Sequence, residues 1–248
     1  MPTSNSYNFT KNRDQIITRA LRIIGAIGQG EIPQATAVTE AAEVLNDLVK
    51  DWEADGMQLW CIKEYNFTPS ASTRTYSVGI GSTINAVAPT KILQAWARTT
   101  IGGLDTPIIL ITRQEYNMLG SKITEGSPSQ LWYNPPGEVS ATEAVGSITL
   151  YVTPSTYFAN TAKIYFTGVR PLQDFDAASD LMDFPQYWGN AVVWGLADQL
   201  AYEYGVGLSE RSMISKKAEF HRERALSYGM EEGHILIQPA PHWGPESW

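Results

Sequence analysis

At 248 residues the chain can bury a large core as one domain or two, and its formal net charge of −8 argues against gripping duplex DNA through phosphate neutralisation. Cys61 is the single cysteine, which excludes an internal disulfide. No run of about 18 apolar residues is present to span a membrane, and MPTSNSYNFTKN has no basic-then-apolar signal pattern, so a cytosolic product is expected.

Residues 1–11 are polar. Asn12 can cap a helix, and Gln15 three residues on comes close to a capping-box pattern. Ile16, Ile17, Ala20, Leu21, Ile24 and Ile27 then recur at helical spacing until Gly28, Gly30 and Pro33. A second predicted helix runs from an N-cap at Thr36 to a left-handed stop at Gly56. Its stripe is Val38, Ala41, Ala42, Leu45, Leu48, Val49 and Trp52. A short Gly/Pro connection should fold the two helices into a hairpin. Asp51, Glu53 and Asp55 crowd the C-terminal end of the second helix, where the macrodipole disfavours anions. Two readings follow: a solvated acidic face, or a site whose cations come from a partner.

From Cys61 to Val169 the period changes to short β-branched and aromatic runs separated by Gly, Pro, Asn and Ser. They predict five to seven strands of an antiparallel sheet or small barrel, with a hairpin turn at Gly102-Gly103-Leu104-Asp105. Thr112 and Glu115 fit a capping box opening one or two helical turns that end at Gly120. Ser127–Glu138 reads as a Pro-rich loop presenting Trp132 and Tyr133. Helical period returns at Asp183, a predicted N-cap, with Pro185 in the first turn and the almost wholly apolar AVVWGLA in the middle. Trp52 and Trp194 are both expected in the core. Ser209 opens a fourth helix with a narrow stripe of Ile214, Ala218, His221, Ala225 and Tyr228, and with Arg211, Lys216, Lys217, Arg222 and Arg224. Three prolines and three glycines leave residues 229–248 extended.

The expected fold is therefore α+β. A four-helix bundle of residues 1–60 and 171–228 carries an antiparallel β domain, 61–170, inserted between its second and third helices, and 229–248 form an extended C-terminal tail.

Little in the chain carries chemistry. His221, His234 and His242 are scattered and far from Cys61, so no metal site is expected. GxGxxG, P-loop and GxSxG patterns are absent. Glu43 with Asp47 and the loop residue Glu143 are carboxylates of a kind that 26 acidic residues supply by chance. Neither a catalytic residue nor a cofactor is assigned. The 8 Trp and 12 Tyr are more telling, because large amphipathic rings serve interfaces as well as cores.

Four segments go further: IITRALRIIGAIGQGEIP, LNDLVKDWEADGMQLW, SPSQLWYNPP, and PLQDFDAASDLMDFPQYWGNAVVWGLADQLAYEYG. Together they resemble the head-to-tail adaptor (tail accessory factor) family of tailed bacteriophages, of the short-tailed type. The resemblance implies a non-enzymatic homo-oligomeric ring, usually of twelve copies, beneath the portal in the virion neck and made in the host cytoplasm. It implies helices in the ring body, a β domain facing the tail or nozzle protein, and a C-terminal segment reaching the portal. DNA would pass through an acidic channel without specific binding. On that view Ile235, Leu236, Ile237, Trp243 and Trp248 bind the portal and Trp132 and Tyr133 face the tail. The opposite charge clusters suggest that Asp51, Glu53 and Asp55 meet Arg211, Arg222 and Arg224, either in the same subunit or, as is expected here, between subunits. The alternative from another class is a virion-associated glycan-binding or peptidoglycan-hydrolysing protein using Trp132, Tyr133 and a nearby carboxylate.

Overall fold

The computed structural model describes residue 5 and residues 9–56, 59–137 and 145–229. Helix α1 (Arg13–Ile23) opens on the reciprocal cap expected: Asn12 Oδ1 accepts from Gln15 N at 2.9 Å, and Gln15 Oε1 accepts from Asn12 N at 3.2 Å. It ends a turn earlier than the apolar period, so Ile27 packs against the core from the connection rather than from the helix. Helix α2 (Ala35–Ala54) begins after Gln34 without a side-chain cap, and Thr36 lies inside its first turn instead of capping it. Its buried stripe is the predicted one, from Ala41 through Leu45, Leu48 and Val49 to Trp52. Gly56 terminates it at φ +79°, a backbone region costly for any residue with a Cβ.

After a 3-10 turn over Leu59–Cys61 the chain enters β1 (Ile62–Phe67), β2 (Thr75–Gly79), β3 (Ile84–Asn85), β4 (Lys91–Thr99) and β5 (Asp105–Leu110). The Gly102-Gly103 turn joins β4 to β5 as an antiparallel pair. Helix α3 (Arg113–Met118) follows, with both halves of the Thr112/Glu115 capping box formed. Then come β6 (Glu125–Gly126), β7 (Gln130–Asn134), β8 (Gly146–Tyr151), β9 (Thr153–Pro154), α4 (Thr156–Thr161) and β10 (Ala162–Val169).

Eight of these strands form one sheet in the order β1-β10-β4-β5-β7-β8-β2-β3. Most neighbours are antiparallel, but β5 and β7 run parallel, as do β2 and β3. The short β6–β9 pair is parallel too. The sheet curls until its far ends nearly meet: Phe67 on β1 lies 4.8 Å from Tyr76 on β2, centroid to centroid. Inward-facing Val78, Leu131, Ile148, Leu150, Ile164 and Phe166 fill this barrel, alternating with outward residues as the pleat requires.

Helix α5 (Gly189–Glu203) is apolar nearly all round, as predicted, and buries Val192, Val193, Leu196, Ala197, Leu200 and Ala201. It is the hub on which α1, α2 and α6 (Leu208–Tyr228) all pack.

The four-helix bundle with an antiparallel insert is not what forms. The chain is a mixed α/β protein: a large, nearly closed, eight-stranded sheet with six helices among the described residues. Two physical facts overturn the expectation. The β5–β7 pair is parallel, which obliges a crossover, and α3 lies in that connection. A bundle also needs four helices sharing one interior. Here α6 leans on α5 as an outer ridge, with only Ile214 and Ala225 buried along its length.

Gly195 lets α5 and α2 approach closely: a Cβ there would stand 3.0 Å from Trp52 Cζ2 and 3.1 Å from Leu48 Cδ2. Gly195→Leu should therefore overpack this contact and cost about 1–3 kcal/mol, read as a lower urea midpoint at unchanged slope.

Candidate functional site

Strands β1 and β10 leave the barrel side by side, with Ile62 opposite Val169. The residues just outside that pair build the joint between barrel and helices. Trp52 closes α2, Trp60 sits in the 3-10 turn before β1, and Phe184 and Trp188 lead into α5. Their rings form one cluster. Trp52 lies 5.4 Å from Trp188 and 6.2 Å from Phe184; Trp60 lies 5.3 Å from Trp188 and 5.8 Å from Phe184. Tilted and edge-on arrangements of this kind contribute beyond area burial.

A polar clamp locks the cluster. Arg170, the first residue after β10, pairs bidentately with Asp183: Nη2 donates to Oδ1 at 2.6 Å and Nη1 donates to Oδ2. Asp183 Oδ2 also accepts from Gln173 N at 3.1 Å, and Trp60 Nε1 donates to the Asp183 carbonyl at 3.2 Å. Arg170 N donates to Cys61 O at 2.9 Å. Asp183 is thus a clamp residue, not the predicted helix cap; α5 starts after a 3-10 turn over Gln186–Trp188. Burial pushes the Cys61 thiol up to about 11, so it stays protonated and unreactive at neutral pH.

The predicted inter-subunit set divides differently. Asp55 pairs with Arg222 inside one chain, and that guanidinium lies 5.8 Å from the centre of the Trp52 ring. Both side chains are well exposed, 61% and 39%, so the pair adds little stability. Glu53 pairs with Lys50, whose Nζ also holds Asp174 at 2.7 Å. Burial acts to lower the Lys50 pKa, but the Asp174 hydrogen bond and the two carboxylates outweigh it and raise it. Asp51 is exposed, Arg211 stacks over Tyr202 at 3.7 Å, and Arg224 is exposed on α6. No single acid–base cluster gathers these residues.

Trp132 and Tyr133 lie on β7 rather than in an exposed loop. Tyr116 of α3 stacks on Trp132 at 5.5 Å, and Arg113 lies 5.9 Å from the Trp132 ring centre. The Tyr133 hydroxyl donates to Pro89 O at 2.6 Å, and burial raises its pKa. A local sequence of prolines and polar residues hides this, because the covering helix comes from a different segment. Ile235, Leu236, Ile237, Trp243 and Trp248 lie outside the described residues.

Trp194 is half-buried instead of fully buried, because it looks out from the hub toward α6. His221 stacks on it at 6.1 Å, and Lys217 Nζ lies 4.9 Å from its centre. Burial, then the charges of Arg224 and Lys217, lower the His221 pKa.

Two concavities flank α6. One, of about 450 Å³, lies between α2 and α6 with Gly195 at its floor. The other, of about 370 Å³, lies between α6 and the end of α1. A third, of about 340 Å³ and uncharged, lies where Ile101 of the β4–β5 turn meets Tyr157 of α4. Among the described residues no group of three or more His, Cys, Asp or Glu side chains is placed to hold a metal. No protein-family model matches the sequence, and no curated protein matches it significantly. Sequence reasoning missed the Arg170–Asp183 clamp, since a cap and an ion-pair carboxylate before Phe-Pro look alike in one dimension.

Asp183→Ala should cost about 2–3 kcal/mol, somewhat below a fully buried broken pair because both partners keep some solvent. A chemical denaturation curve checks it. The His221 pKa lies below the ordinary 6.5, so the unfolded chain binds the proton first. Its contribution is complete above about pH 6.5 and is lost as pH falls through the lowered value. His221→Gln should flatten the fall in urea midpoint between about pH 7 and 5.

Proposed function

We propose that this chain is a structural protein of a tailed-phage virion, a head-to-tail adaptor subunit that assembles as a ring beneath the portal and receives the tail. The observation that carries the reading is the aromatic joint. Two segments that resemble the adaptor family, LNDLVKDWEADGMQLW and the stretch containing DFPQYW, lie more than 100 residues apart in sequence. They supply Trp52 and Trp60 on one side and Phe184 and Trp188 on the other, and these four rings interlock. Residues that co-occur as a pattern and then meet as one contact are what a shared architecture predicts.

In this reading the helical layer forms the ring body, the barrel of residues 61–170 points to the tail or nozzle protein, and 229–248 reach the portal. A charge of −8 repeated around a ring, usually of twelve copies, makes the channel repel DNA, which then slides instead of sticking. No cofactor enters. The glycan-binding or hydrolytic alternative draws less support, because Tyr116 covers the Trp132 face that a sugar would need.

Electron micrographs of the purified chain mixed with its cognate portal test the proposal. Ring-shaped density beneath the portal is expected, and a chain lacking 233–248 should remain folded yet fail to join. Portals that stay bare in a large excess of the intact chain overturn the reading.

A further inference from the structure

The two flanks of α6 are chemically opposite. On one flank Met213, Lys217, Phe220 and Arg224 follow each other at steps of four, three and four, the spacing of a helix seam that docks on another helical surface. Met213 and Phe220 are 60% and 57% exposed, which is unusual for large apolar side chains on a helix otherwise anchored by two residues. Lys217 lies on this edge, its Nζ 4.9 Å from the centre of the Trp194 ring, and Arg224 stands exposed two helical turns further along the same stripe. Arg22 of α1 adds a cation to the concavity beside it, and Glu210 in the first turn of α6 is the acid there.

The other flank borders the groove between α2 and α6. Its apolar floor is Leu48, Trp52 and Leu226, and its acids are Asp198, Glu219 and Glu223. Asp198 is held in place by Ser215, whose hydroxyl donates to it. The cation in the groove, Arg222, is matched by Asp55 in the same chain. The groove is therefore a net acidic slot with an apolar base, and the seam is a net basic ridge with apolar knobs.

We infer that the basic seam of one copy docks in the acidic groove of the next. Because donor and acceptor surfaces differ, the contact is heterologous: each open assembly keeps one free seam at one end and one free groove at the other, so copies add head to tail until the rotation closes them. Charge complementarity selects this occupant over the chain's own C-terminal segment, since GMEEGHILIQPAPHWGPESW contains three glutamates and neither lysine nor arginine. The assignment names the subunit contact of the proposed ring and rests on that reading for closure.

The full chain carrying Phe220→Cys together with Leu226→Cys tests it under mild oxidation at high protein concentration, with Cys61 buried and out of reach. A ladder of dimer, trimer and higher species is expected. Phe220→Cys alone should give monomer; a linked dimer from it would mean a two-fold contact of seam on seam and would overturn the inference. In sedimentation, Lys217→Glu with Arg224→Glu should weaken self-association by more than about tenfold, because like charges then face each other. Adding Glu219→Lys and Glu223→Lys should restore it. All four positions are exposed, so circular dichroism should confirm that each variant is folded. Truncation at 229 that itself triggers assembly would show the groove was covered by the chain's own end, and a chain monomeric up to its solubility limit would also overturn the contact. Self-association unaffected by seam reversal removes this interface and leaves the adaptor reading intact. A seam-dependent ladder from a chain that never joins the portal does the reverse.

Discussion

The Arg170–Asp183 pair and the four rings around it are the constraint on which the rest depends. A barrel and a helical layer joined by two chain crossings would otherwise hinge at residues 61 and 170. Here both crossings are stapled at one point: Arg170 N bonds Cys61 O, its guanidinium bonds Asp183, and Trp60 reaches the Asp183 carbonyl. A bidentate guanidinium fork fixes direction as well as distance, which a lysine could not do. Packing Trp52, Trp60, Phe184 and Trp188 over the clamp keeps water partly away and so strengthens it.

From that joint the helical layer is arranged by α5. An element apolar on every side must be covered on every side, and α1, α2 and α6 each take a share. Gly195 sets the closest approach, on the α2 side, and Trp194 one residue earlier turns toward α6 to stack on His221. The consequence is asymmetry. Helices α1 and α2 are deeply committed to the core, whereas α6 keeps most of its surface outside and remains available to another surface.

Electrostatics follows that division. The ion pairs that fix geometry lie at the joint, partly shielded, while those on the helix surface are exposed and contribute little to stability. Surface charge is better understood as orientation. With a net −8 the chain should repel copies of itself, so a contact that succeeds must bring a local basic edge to a local acidic slot. The opposite flanks of α6 provide both.

By itself the sequence determined what depends on near neighbours. Asn12 with Gln15, and Thr112 with Glu115, specify their helix starts because each cap closes within three residues. The stripe of α2, the stop at Gly56 and the all-round apolarity of α5 are periodic or single-residue signals and survive intact. Tertiary structure alone decided the rest. Whether β5 pairs parallel or antiparallel, whether Asp183 caps a helix or binds Arg170, and whether Trp132 is bare or lies under Tyr116 depend on partners roughly ten to twenty residues away. It also decided that four amphipathic or apolar helices become a hub with neighbours instead of a bundle. The physical reason is that periodicity says which face of an element must be covered, while only the closed chain says what covers it.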